Sequence, residues 1–183
     1  MRFSYCVLLA FAVTLPLVSH AQRPINQHPV IAPDTEKEKG QWVEESVTPP
    51  PYPKNENLIA IAMAATSNEF FVDSQSVALG ADNVIRYTML IRSNAGALNV
   101  TYEGIRCATR EKKLYHLGRK DGTWSAARAS KWSEVTGSGA VTYQKILMND
   151  FFCPKEDSVK SAEEAIGALR AGIHPKVRSK AQR

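Results

Sequence analysis

Val84-Ile-Arg-Tyr-Thr-Met-Leu-Ile-Arg92 is the stretch on which the fold turns. Ile85, Tyr87, Met89 and Ile91 fall on one parity, while Arg86, Thr88 and Arg92 share the other with Leu90. Successive side chains of a strand point to opposite faces, so a period of two marks a strand with one apolar face. Upstream, Gly80-Ala81-Asp82-Asn83 supplies turn residues, preceded by two short apolar runs, Phe70-Phe71-Val72 and Ser76-Val77-Ala78-Leu79. Downstream, Ser93-Asn94-Ala95-Gly96 turns the chain and alternation resumes at Leu98, Val100 and Tyr102. Gly104 reads as a bulge or close-approach site before Ile105 and Cys107. Asp121-Gly122 is a hairpin signal between Lys113-Leu-Tyr-His-Leu117 and Trp124.

Beyond this block the period changes. Ala126 to Trp132 fits either an extended run or a helical turn, and Gly137-Ser138-Gly139 is a flexible break. Tyr143, Ile146, Leu147 and Phe151 recur at helical spacing, so Val141 to Phe152 reads as a short amphipathic helix packed on the sheet. Past Pro154, Ser161 and Glu164 have capping-box spacing ahead of a stripe of Ala162, Ala165, Ile166, Leu169 and Ile173. Lys176, Arg178, Lys180 and Arg183 follow with no acid, which predicts a marginal helix and then a disordered basic tail. The expected fold is a single small α+β domain: an antiparallel sheet with one short packed helix, plus a C-terminal amphipathic helix and tail.

Prolines 24, 29, 33, 49, 50, 51 and 53 crowd the region before Glu56, whereas Leu58 to Cys153 has none. Thr48-Pro-Pro-Pro-Tyr-Pro53 should therefore run extended, as a linker or an arm laid on the domain. Trp42 and Val43 point to docking of the later half of this arm, and Gln22 to Gly40 reads as disordered. The expected division is 1–21, 22–56 as arm, 57–154 as domain and 155–183 as C-terminal extension.

Residues 1–21 carry Arg2 as their one charge, an apolar segment from Tyr5 to Val18, and Ser19-His20-Ala21. This is the pattern of a secretory signal cut after Ala21, which places the mature protein in an exported, periplasmic setting with no transmembrane helix. Cys6 lies upstream of the cut, so it supplies no lipoprotein anchor. The excess of 23 Lys and Arg over 18 Asp and Glu survives loss of Arg2. Export makes nucleic acid an unexpected partner, and the basic excess leaves an envelope protein, a glycan or an anionic lipid as the expected ones.

In an oxidising compartment the two remaining cysteines, Cys107 and Cys153, are expected to form a disulfide. They lack C-x-x-C spacing for redox work, and the chain does not readily assemble the ligands of a zinc site, so no metal or cofactor is expected. His116 sits in a strand and no G-x-S-x-G elbow is present, which argues against a Ser-His-Asp hydrolase. Arg86, Arg92, Glu103, Arg106 and Arg110 lie in or beside strands. The plain reading is cross-strand pairing on a solvated face. The sharper one is an anion or carboxylate site in which Glu103 positions Arg86 or Arg106. Trp124 and Trp132 serve core packing or a stacking surface.

Pro50-Pro51-Tyr52-Pro53, Asn57-Leu58-Ile59, Val72-Asp73, Arg86-Tyr87-Thr88, Gly96-Ala97-Leu98-Asn99-Val100, Tyr102-Glu103-Gly104-Ile105-Arg106-Cys107, Trp124, Trp132 and Phe151-Phe152-Cys153-Pro154 together resemble the cryptic neisserial protein-like family of bacterial envelope proteins. The resemblance runs from about Trp42 to Pro154. It implies an exported, periplasmic protein and no particular reaction, and it draws attention to Arg86, Glu103, Arg106, Cys107 and Cys153. The expected function is a non-enzymatic binding or interaction module for an envelope component. The alternative is an envelope hydrolase that gathers Glu103 or His116 with Arg86 and Arg106 in one pocket.

Overall fold

The computed structural model describes residues 42–64, 66–135 and 142–181. The signal segment, the first part of the arm, the Gly137-Ser138-Gly139 break and Arg183 lie outside the described residues. Alternation in the central block is realised as an antiparallel meander. Its strands are β1 (Leu58–Ile61), β2 (Glu69–Leu79), β3 (Val84–Arg92), β4 (Leu98–Arg106), β5 (Glu111–Gly118) and β6 (Trp124–Ala126), each paired with the next. A short β7 (Ser133–Glu134) pairs the start of β5. The β5–β6 hairpin turns on Gly122, whose φ of 79° suits glycine.

The two apolar runs expected around Phe70 and Val77 are one strand, β2, with an irregular register between Asp73 and Ala78. Ser76 repairs the gap: its hydroxyl accepts from the Thr88 amide at 2.7 Å and donates to the Asp73 carbonyl at 2.7 Å. The side chain thus replaces a lost ladder bond, which a buried backbone donor requires.

Register decides which residues share a face. Tyr87 lies opposite Glu103 and Ile85 opposite Ile105, whereas Arg86 lies opposite Gly104 and Val84 opposite Arg106. Tyr87, Glu103 and Ile105 therefore face one way, and Arg86, Gly104 and Arg106 the other. The first face packs under the helices. There α1 (Tyr143–Ile146), with Thr142 accepting from the Lys145 amide at its start, runs into a π-helical segment, Leu147–Phe152. This departs from the plain α-helix that the spacing predicts. The Cys153 amide donates to the Met148 carbonyl at 2.8 Å, a bond to the fifth residue back. The wider turn lets the adjacent pairs Leu147-Met148 and Phe151-Phe152 all enter the core.

The helix α2 (Ala162–Arg170) starts as the sequence predicts, with the Ser161 hydroxyl accepting from the Glu164 amide at 3.2 Å. Glu164 reaches back to the Lys160 amide, one residue earlier than a capping box requires. The helix α2 buries Ala165, Ala168 and Leu169 in the core. Where the sequence predicts a disordered tail, α3 (Pro175–Ala181) forms instead, preceded by a buried His174 whose Nε2 lies 3.0 Å from Glu164 Oε1. The Cys107–Cys153 disulfide closes the core at the end of β4, with Cα atoms 5.5 Å apart and a sequence separation of 46.

The opposite face is not the solvated one that a one-sided sheet predicts. Val84, Arg86, Thr88 and Leu90 are all buried there, because residues 42–53 lie across it. This is the proline-rich arm, and it carries no helix or strand of its own.

Candidate functional site

Charged and aromatic side chains converge beneath the arm. Lys113 and Tyr115 project from β5, and Trp132 follows from the loop before β7. All three donate to one carboxylate, that of Glu44 in the arm: Lys113 Nζ at 2.9 and 2.7 Å, the Tyr115 hydroxyl at 2.8 Å and Trp132 Nε1 at 3.2 Å. Burial pushes the Glu44 carboxyl upward, but these hydrogen bonds and the Lys113 charge outweigh it and hold the group below its ordinary range.

The next arm residue engages Arg86. Asp82, in the β2–β3 turn, takes Arg86 in a bidentate pair at 3.0 and 2.5 Å, and Glu45 Oε2 stands 3.7 Å from the same guanidinium. Asp82 Oδ2 also accepts from the Glu45 amide at 3.0 Å. Burial would raise the Asp82 carboxyl, yet the Arg86 hydrogen bond leads the contacts that pull it down. Arg106 takes a different partner: its guanidinium lies 3.9 Å from the centroid of the Trp42 ring, with Glu111 at 4.0 Å. Trp42 Nε1 donates to the Asp82 carbonyl at 2.8 Å, while the adjacent Val43 is 76% exposed, so only the first of that pair docks. At the far end Trp124 Nε1 donates to the Pro50 carbonyl at 2.8 Å, and the Tyr52 hydroxyl to the Arg119 carbonyl at 3.0 Å. The two tryptophans expected as core or stacking groups are thus the posts that hold the arm.

The expected pairing of Glu103 with Arg86 or Arg106 is not formed, because the carboxylate and the two arginines lie on opposite faces of the sheet. Glu103 accepts instead from neutral donors: Thr101 at 2.7 Å, Tyr143 at 2.5 Å, Tyr87 at 3.0 Å and the Gln144 amide at 3.4 Å. His116 sits across from Tyr102 beside an irregularity in the β4–β5 register, and lines a cavity of about 410 Å³ with Glu44, Glu45 and Tyr115. Glu103 and the two arginines, one grouping on which a hydrolase would depend, are therefore not brought together. Nor do those residues place three or more His, Cys, Asp or Glu where they could hold a metal ion.

An open cleft of about 680 Å³ lies at the disulfide end, lined by Arg110, Asn149, Cys153, Lys155, Glu156 and Lys176 among others. Three cations there face one acid. Arg110 Nη2 donates to Asn149 Oδ1 at 2.8 Å, Lys176 Nζ stands 3.7 Å from Glu164, and Lys155 makes no ion pair among the described residues. Arg110, Lys155 and Glu156 hold φ values of 54°, 57° and 73°. Each such non-glycine residue costs about 1 kcal/mol or more, a strain that folds retain where surrounding structure imposes it. Sequence reasoning names Arg110 and Lys176 separately and passes over Lys155. Their meeting depends on the disulfide and on α3, which no local pattern reveals.

No helix among the described residues is long and apolar enough to cross a membrane. The model of the CNP1-like family matches residues 37–170, from the arm through the last residue of α2. No curated protein and no solved structure matches the chain.

Proposed function

From the premise that the chain belongs to the CNP1-like family, a family of bacterial proteins with no assigned activity, we propose that it is an exported periplasmic binding module for an anionic envelope component. The observation that carries this reading is the cationic cleft, where Arg110, Lys155 and Lys176 border one open concavity against the single acid Glu156. Guanidinium and ammonium groups at the wall of a concave site concentrate anions and give charge-assisted hydrogen bonds to phosphate or carboxylate oxygens. The signal-like residues 1–21 and the Cys107–Cys153 bridge both suit an oxidising compartment.

Titration calorimetry of the mature chain with inorganic pyrophosphate and with a uronic acid trisaccharide tests the proposal and separates its two ligand sources. At low salt one probe should bind, with affinity that falls as salt rises. Lys155→Ala with Lys176→Ala should weaken it at least tenfold while the melting temperature stays within a few degrees. Failure of both probes to bind, or binding indifferent to the two lysines, would overturn the assignment.

A further inference from the structure

We infer that the arm-covered face of the sheet is a receptor for an extended acidic peptide, and that residues 42–53 hold it closed as an internal ligand. The receptor residues come from the sheet and its loops: Lys113, Tyr115 and Trp132 around one carboxylate, Arg86 and Asp82 around the next residue, Arg106 under an indole, and Trp124 on a proline carbonyl. The arm makes its contacts through side chains and isolated backbone groups and pairs with no strand. A peptide supplied from outside can reproduce every one of them.

Space is reserved for the ligand. A Cβ on Gly118 would lie 2.9 Å from the Tyr52 ring and 2.8 Å from Val100, and a Cβ on Gly104 would lie 2.8 Å from the Tyr115 ring. The glycines therefore let the arm and the clasp residue seat against the sheet. The arm leaves part of the face open, since a solvent-open hollow of about 410 Å³ is bordered by arm residues 44–47 and by His116, whose Nδ1 is buried without a hydrogen-bond partner. Charge is complementary as well, with Arg86, Arg106 and Lys113 on the sheet and Glu44 and Glu45 on the arm.

These contacts define the partner as a polypeptide segment that carries an aromatic residue, then two acids at the second and third positions after it, then proline. Such segments lose little conformational entropy on binding because proline already holds them extended. The tethered arm competes at an effective concentration on the order of millimolar, so the receptor answers only to a partner that binds tightly or is presented densely.

The test uses the full mature chain and a labelled synthetic peptide of residues 41–53, read by fluorescence anisotropy. A chain whose own arm carries Trp42→Ala and Glu44→Ala should bind the peptide at least tenfold more tightly than the wild type. Adding Lys113→Ala to that variant should abolish the gain, and a peptide with Glu44→Gln should bind at least tenfold more weakly. If the double variant does not fold, Glu44→Gln alone in the chain should give the same ordering. Equal absence of binding to wild type and variant, or a gain that survives Lys113→Ala, would overturn the inference. A concentration-dependent wild-type dimer in light scattering would make a second copy the occupant and would overturn assignment to a separate partner.

Discussion

Glu103 is a buried carboxylate held by neutral donors. Its side chain accepts from the hydroxyls of Thr101, Tyr87 and Tyr143 and from the Gln144 amide. Burial first, and the neighbouring carboxylate second, raise the Tyr87 and Tyr143 hydroxyls above their ordinary value, so both remain donors. The network ties β3 and β4 to the start of α1. Glu103→Ala would leave buried donors without an acceptor, each costing about 1–3 kcal/mol. We expect a loss of about 3 kcal/mol or more in urea unfolding, with Glu103→Gln losing less because one acceptor oxygen remains. An Ala variant as stable as the wild type would contradict this role. The parity was legible in Tyr102-Glu103-Gly104-Ile105-Arg106-Cys107, where Glu103 is in phase with Ile105 and Cys107 and out of phase with Arg106. Charge alone groups it with the arginines. What parity could not supply was the set of neutral donors, since Tyr143 and Gln144 arrive from a helix some forty positions away.

At the scale of elements, composition marked the arm, and the clustering of proline explains why it forms no strand. Its seat was not legible, because the contacts that fix it span 69 positions to Lys113 and 88 to Trp132. The π-helical segment was half legible: spacing found Leu147 and Phe151, while Met148 and Phe152 enter the core only because the turn widens. The arm's attachment has a pH signature. Glu44 and Asp82 are both held below their ordinary carboxyl values in the folded chain, so the stability they contribute is fully present above the unfolded carboxyl range. It is lost as pH falls through their folded values. Acidification below the ordinary carboxylate range should therefore release the arm and expose Trp42, Trp124 and Trp132. Tryptophan emission followed against pH should shift to the red at low pH, and the transition should move upward in Glu44→Gln. Superimposable profiles for the two proteins would show that Glu44 does not hold the arm.

In the whole molecule, one sheet carries two different coverings, and the disulfide bears more directly on one of them. The bridge joins the end of β4 to Cys153, which caps the π-helical segment and lines the cationic cleft, while the arm is fastened by side chains of β5, the β2–β3 turn and the aromatic posts. Closing a loop of 46 residues contributes about 4 kcal/mol in the chain-entropy model. That is a large share of the stability of a domain this size, where the total is about 5–15 kcal/mol. Lys155 lies two residues beyond Cys153 at a φ of 57°, so the cleft depends on that anchor more directly than the arm does. Reduction should therefore act unequally. We expect Cys107→Ser with Cys153→Ser to lower the unfolding free energy by about 4 kcal/mol. Hydrogen exchange should accelerate first in Lys155, Glu156 and α3, with β3 and β4 still protected and the indoles of the arm face still shielded under native conditions. Exchange that rises uniformly across both faces would mean that the bridge secures the whole sheet and that the cleft has no separate dependence on it.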